Sequence, residues 1–308
     1  MSNATVMTAK NQIELQVVEL LGENGTTYQT AIIFLQVPKI DIDLLPQVKL
    51  PDGLDRDRGV ILFGQAPIWL YARLSVLSRN FPWVAHYGIR EKQAIVISSR
   101  VADYQPGDEI ALQFNHEPCA TIVVGGPADS GKSHLSYALI QMFEAYRPDL
   151  PLYLHRANWD GEGIHTYETP DPELAKKLVN ANTYRLHQHE DSDRLIPKYF
   201  QYHADAIANI RSVRNLALVD VGGWPQPEKR PVVEQCTHSI IISRYPEKIP
   251  AWQELFAPLQ PLAVIHSILE ERCEIVRTKP YLEIIAGKWQ LGCSVPDVLR
   301  DRVLSVVG

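Results

Sequence analysis

The sequence lacks several of the features that mark whole protein classes. Its four cysteines, Cys119, Cys236, Cys273 and Cys293, are scattered through 308 residues and form no Cys-x-x-Cys pair. A structural zinc site needs clustered ligands and a secreted scaffold needs a paired framework, so four reduced, buried thiols are expected instead. No apolar run approaches the roughly 20 residues that span a bilayer, and no charged-then-apolar leader opens the chain. The expectation is a cytoplasmic protein with no membrane partner. Excess basic charge is also missing: the net charge is −6 and the pI about 5.9. A protein coated for duplex DNA is thereby excluded, while a local basic pocket for a small anion is not. Neither internal repeats nor low-complexity segments are present.

What is present divides into two α/β halves. Residues 1–112 read as a small α/β domain of ferredoxin-like type. Strand patterns run over Ile13–Val18, Tyr28–Val37, Val60–Phe63, Trp83–Tyr87 and Ala94–Ser98. Pro67 supplies a helix start through its fixed φ and missing donor, and Leu70, Leu74 and Leu77 follow at helical spacing. Residues 113–118 are polar and turn-prone, a linker. From 119 to 308, short apolar runs alternate with helical segments. That order predicts a mostly parallel sheet with helices on both faces, the architecture of a P-loop NTPase domain.

Gly126-Pro127-Ala128-Asp129-Ser130-Gly131-Lys132-Ser133 matches Gly-x-x-x-x-Gly-Lys-Ser throughout. An apolar strand precedes it and a helix follows, which is the context the motif requires. Backbone N–H groups of such a loop wrap phosphates, Lys132 reaches the terminal ones and Ser133 offers a hydroxyl to Mg²⁺. The positive end of the helix points at the same anion. Asp220 closes the apolar run Leu216–Val219, where a strand end presents a carboxylate to the same metal. Val221-Gly222-Gly223 follow it, not the glutamate of AAA-type motors. Asp220-x-x-Gly223 resembles the γ-phosphate-sensing loop of switch GTPases and their ATP-using relatives. No Asn-Lys-x-Asp guanine-reading motif occurs, so ATP with Mg²⁺ is the expected cofactor. Arg156, Asp160 and Glu162 follow the second strand, where a phosphoryl acceptor would sit; Arg230 and Arg244 are further candidate γ-phosphate arginines.

The string Gly59-Val60-Ile61-Leu62-Phe63-Gly64-Gln65-Ala66-Pro67-Ile68-Trp69-Leu70-Tyr71 stands out in the first half. Together with Pro82–Tyr87, Arg90 and Gly107–Ile110, it resembles the CRISPR-associated ring nucleases of type III systems, including forms with an ATPase-like domain fused behind. The resemblance covers about Gln12 to Leu112. It implies cyclic tetra-adenylate as ligand, a homo-oligomer (dimer or tetramer), and a metal-dependent site, possible with Mn²⁺, shared between stacked dimers. Gly64, Gln65, Pro67, Arg79 and Arg90 then fall at ligand-binding positions, with Arg90 the matching catalytic arginine. Arg79 stands where the family has its histidine, Gly88 where it has its aspartate, and Phe63 and Gln65 replace a serine and an arginine. Arginine does not release its proton near neutral pH and glycine binds no metal. Nuclease chemistry by the family's route therefore needs a substitute, for which His86 is the candidate imidazole, while Arg73, Arg79, Arg90 and Lys92 can make a phosphate-binding pocket.

Three functions remain open on these residues. One is a CRISPR accessory protein coupling a cyclic oligoadenylate-binding module to an ATP-binding module, with ATPase-like turnover. Another is a small-molecule or nucleotide kinase behind an interaction module. The third is a nucleotide-dependent scaffold without turnover.

Overall fold

The structure is a computed structural model describing residues 5–7, 12–35, 40–114, 117–150, 152–158, 173–174, 177, 190–290 and 292–307. Two compact units make up the chain, Met1–Asn115 and His116–Gly308.

The first unit is built on one seven-stranded sheet whose strands lie in chain order. These are β1 (Thr5–Met7), β2 (Ile13–Leu21), β3 (Thr27–Leu35), β4 (Val60–Gly64), β5 (Trp83–Gly88), β6 (Gln93–Ser99) and β7 (Glu109–Ala111). Only β3–β4 and β4–β5 pair in parallel, and α1 (Ile68–Leu77) makes the return between β4 and β5. The small α/β class is as the sequence indicates, but a ferredoxin-like domain interleaves its strands under two helices. Here each strand pairs with its neighbour in sequence, and among the described residues a single α-helix covers the sheet. Alternation along β4 explains the layering. Val60 and Leu62 face Leu70 and Leu74 of α1 in one buried cluster with Ile33 and Val84. Phe63 points the other way, its ring 4.5 Å from Tyr87 and 6.0 Å from Phe114. The sheet also curls: Glu23 N donates to Ala111 O and Gln113 N to Leu21 O, tying the β2–β3 turn to the end of β7.

The second unit carries a second seven-stranded sheet. Its strands are β8 (Ala120–Gly125), β9 (Leu152–Ala157), β10 (Leu216–Val221), β11 (His238–Ser243), β12 (Gln260–Ser267), β13 (Arg272–Arg277) and β14 (Leu282–Gly287). They lie in the order β13-β14-β12-β11-β8-β10-β9. All pairings are parallel except that of β13, an antiparallel edge strand. Helices cover both faces, as the strand–helix alternation predicts. Ile122 and Val124 pack on Leu135, Leu139 and Phe143 of α2 (Lys132–Tyr146). Val123, one residue out of phase, packs on Phe200 and Ile207 of α3 (Ser192–Arg211) and on Trp252. Further helices among the described residues include α4 (Arg230–Glu234), α5 (Ile249–Leu255) and α6 (Asp297–Leu304).

All four cysteines are free, and burial pushes Cys236 up to about 12 and Cys119 up to about 11. The expectation of four buried thiols needs correction at Cys273, which is exposed because β13 has no layer over it. Cys293 is half-buried. No helix among the described residues is long and apolar enough to cross a membrane.

Candidate functional site

The C-terminal ends of β8 and β10 meet at the phosphate loop. No strand intervenes between them, and their register sets Asp220 beside Val124. Backbone geometry makes the loop depend on glycine. Gly126 has φ +150°, and a Cβ there would collide with the Ile242 carbonyl of β11. Gly131 takes the left-handed conformation at φ +91° as the N-cap of α2, and Asp129 is also left-handed at φ 58°. These turns aim the first N–H groups of α2, which have no partner within the helix, into one concave loop.

Side chains complete the cradle. Lys132 is buried and its Nζ donates to the Pro127 carbonyl at 2.8 Å, across the mouth of its own loop. Ser133 Oγ donates to Asp220 Oδ2 at 3.0 Å, with Asp220 only 4% exposed. Ser130 is buried, and its Oγ accepts from the Arg244 backbone N at 3.3 Å, linking the loop to the end of β11. A hydroxyl and a carboxylate set side by side at a phosphate cradle form an all-oxygen donor set, which fits Mg²⁺.

The loop after Asp220 reaches the same place. A Cβ on Gly223 would lie 2.7 Å from the Ala128 backbone N, so only glycine lets the two loops touch. Lys229, which the sequence does not single out, holds this second loop from behind. It is 2% exposed, and its Nζ donates to the carbonyls of Gly222 and Trp224 at 2.6 Å each. The rings of Trp252 and Phe200 lie 5.4 Å and 5.9 Å from its ammonium. Trp224 itself is 67% exposed. Nothing in the string Pro227-Glu228-Lys229 signals burial; the contact arises because a 3-10 turn folds it under the loop.

Of the other candidates in this unit, Arg156 is the penultimate residue of β9, directly in register with Asp220. Arg230 and Arg244 are exposed. Asp160 and Glu162 lie outside the described residues.

In the first unit, Leu62 pairs with His86, so Gly64 and Gly88 end their parallel strands at the same edge. Gly64, Gln65 and Pro67 gather there with Arg90 of the β5–β6 turn. Arg79 is not brought to this edge. It follows α1 and precedes Trp83, the start of β5, and therefore sits at the opposite edge of the same sheet. A pocket holding both Arg79 and Arg90 is thus not formed within one chain, because α1 runs antiparallel to the strands for about 15 Å. Phe63 fills its position with an aromatic cluster rather than a polar group.

His86 is turned toward α1. Ser75 Oγ donates its single proton to Tyr71 O at 2.7 Å, so the 2.9 Å contact with His86 requires His86 Nε2–H to donate to Ser75. Burial holds the His86 pKa below its ordinary value. Its Nε2 is therefore committed to packing β5 on α1. Among the described residues, no group of three or more His, Cys, Asp or Glu is placed to hold a metal. An acidic cleft lined by Glu23, Tyr28, Asp103, Tyr104, Asp108 and Glu109 opens at the edge away from Arg90, and its charge does not suit an anionic ligand.

Comparison with known proteins bears on the first unit. Residues 33–111 match the family model of the CRISPR-associated protein Cas_csx3. That match supports a CRISPR-associated protein. No curated protein matches the chain. Among solved structures, the kinase domain of the Escherichia coli tyrosine kinase ETK is 15% identical over 54% of this chain and 72% of its own, with a TM-score of 0.37. A plasmid partition protein from Borrelia burgdorferi B31 bound to AMPPNP is 11% identical over 62% and 98%, with a TM-score of 0.39. A ParA family ATPase from Chlorobium tepidum TLS is 11% identical over 48% and 74%, at 0.32. The P-loop NTPase fold of the second unit stands on its own strand order and loop geometry.

Proposed function

We propose that this chain is a CRISPR-associated ATP-binding protein in which the first unit receives a cyclic oligoadenylate. The observation that carries the nucleotide half is the Ser133–Asp220 pair at 3.0 Å beside buried Lys132. Ser133, with Asp220 through water, would hold Mg²⁺, which supplies charge neutralisation on the terminal phosphates. Lys132 leaves the Pro127 carbonyl for a phosphate oxygen, a stronger charge-assisted partner. Gly223, set against Ala128 of the phosphate loop, would offer its N–H to a terminal phosphate. Lys229 couples that position to exposed Trp224. The residue after Asp220 is Val221, so no adjacent carboxylate activates water. Slow turnover or a binding switch follows, rather than a fast motor.

The ligand half rests on the family match over residues 33–111 and on the edge where Gly64, Gln65, Pro67 and Arg90 gather. With Gly88 and Arg79 at the family's acid and histidine positions and His86 Nε2 engaged by Ser75, binding is favoured over cleavage. The exposed stripe Ile68, Ala72 and Val76 on α1, with Ile68 87% exposed, supports self-association.

Thermal unfolding of the full chain tests both halves at once. Cyclic tetra-adenylate is expected to raise the transition of the wild type by several degrees at saturation. Arg90→Ala should remove that rise while leaving the shift caused by Mg²⁺ and ATP. Absence of any cyclic tetra-adenylate shift, with or without Mn²⁺, would reject the ligand half alone.

A further inference from the structure

The groups described so far place the phosphates and leave the nucleoside of a bound nucleotide without a seat. A cation held by Ser133 and Asp220 would neutralise the terminal phosphates, which would set that end of the nucleotide on the β10 side of the loop. On that side Gly223 already closes against Ala128. The nucleoside must leave on the other flank, toward β11, β12 and β14.

The segment after β14 returns to the cradle on this flank. A Cβ on Gly131 would lie 2.7 Å from the Cβ of Trp289 and 3.1 Å from its Cγ. The indole is half-buried and oriented, since its Nε1 donates to the Ala286 carbonyl at 2.9 Å. The loop after β12 crosses at the same point: Ile268 N donates to that same carbonyl at 3.2 Å, and any Cβ on Gly287 would collide with the Ile268 carbonyl. Leu269, next along, is 63% exposed. Two crossing loops thus present an oriented indole and an exposed leucine within one nucleotide's length of the phosphate loop.

We infer that Trp289 is the base platform of the site, stacking the purine of a bound nucleoside triphosphate. This rests on the reading of the second unit as nucleotide-binding and adds the residue that selects for the base. Stacking depends on π-face area, so it favours ATP over pyrimidine nucleotides and does nothing for a phosphate chain alone.

Calorimetric titration of the full chain with Mg²⁺ and either ATP or inorganic tripolyphosphate separates these contributions. Trp289→Ala is expected to weaken ATP by about ten-fold or more and leave tripolyphosphate unchanged. Trp289→Phe should retain ATP to within roughly three-fold, because a smaller aromatic face remains. Trp289→Leu keeps apolar volume for folding but no π-face, and should behave like Trp289→Ala. Parallel weakening of both ligands, or wild-type ATP affinity in Trp289→Leu, overturns the platform and spares the nucleotide reading. A wild type that binds neither ligand overturns both.

Discussion

Lys132→Ala is expected to lower ATP affinity by at least about 30-fold, since truncating one partner of a desolvated charge pair costs about 2–5 kcal/mol and each 1.4 kcal/mol is ten-fold. The ammonium lies inside the loop, held by the Pro127 carbonyl at 2.8 Å. Without nucleotide, the same substitution should change stability little. It removes one hydrogen bond to a carbonyl and relieves the burial of a charge, two effects of opposite sign. Titration of ATP and thermal unfolding of the unliganded variant check the two halves of this expectation. A large affinity loss accompanied by a collapse in stability would point to damage of the fold instead.

Gly126→Ala should destabilise the second unit by more than about 3 kcal/mol, which for a unit of this size lowers its transition by about 10 °C. Two causes act together. The backbone there sits at φ +150°, and the new Cβ would run into the Ile242 carbonyl, a strand backbone atom that cannot rotate away. Gly292→Ala is the control in the same unit. Its φ is +82° but no atom lies within 4 Å of the added Cβ. It should lose only the conformational part, about 1 kcal/mol. Equal losses in the two variants would mean that backbone conformation, not the close approach of β11, makes Gly126 necessary.

The phosphate loop was legible because its parts are consecutive: Gly126, Gly131, Lys132 and Ser133 act through backbone turns within one eight-residue stretch. Asp220 was legible for a related reason, since a carboxylate ending an apolar run marks the mouth of a parallel strand. Lys229 and Trp289 were not, because each reaches the site by a crossing of chain segments far apart in sequence, and neither carries a local signal. Pro197 interrupts the helical pattern in the first turns of α3, and β13 carries no alternation because every one of its residues is exposed. The first unit shows the opposite difficulty. Five of its seven described strands read correctly, all but Thr5–Met7 and Glu109–Ala111, yet Arg79 and Arg90, only eleven positions apart, lie at opposite edges because β5 carries the chain across the sheet between them. Residue spacing along a sequence carries no information about which edge of a sheet a side chain reaches.

The central claim is that Ser133 and Asp220 join the Lys132 loop in holding Mg²⁺ with ATP. Its most direct test is the Mg²⁺ dependence of ATP binding, measured by calorimetry on the wild type and on Asp220→Ala. The wild type should bind ATP at least about ten-fold more tightly with Mg²⁺ than with EDTA, and Asp220→Ala should lose most of that gain while keeping the metal-free affinity. Equal ATP affinity with and without Mg²⁺ in the wild type, or an undiminished Mg²⁺ gain in Asp220→Ala, would contradict it.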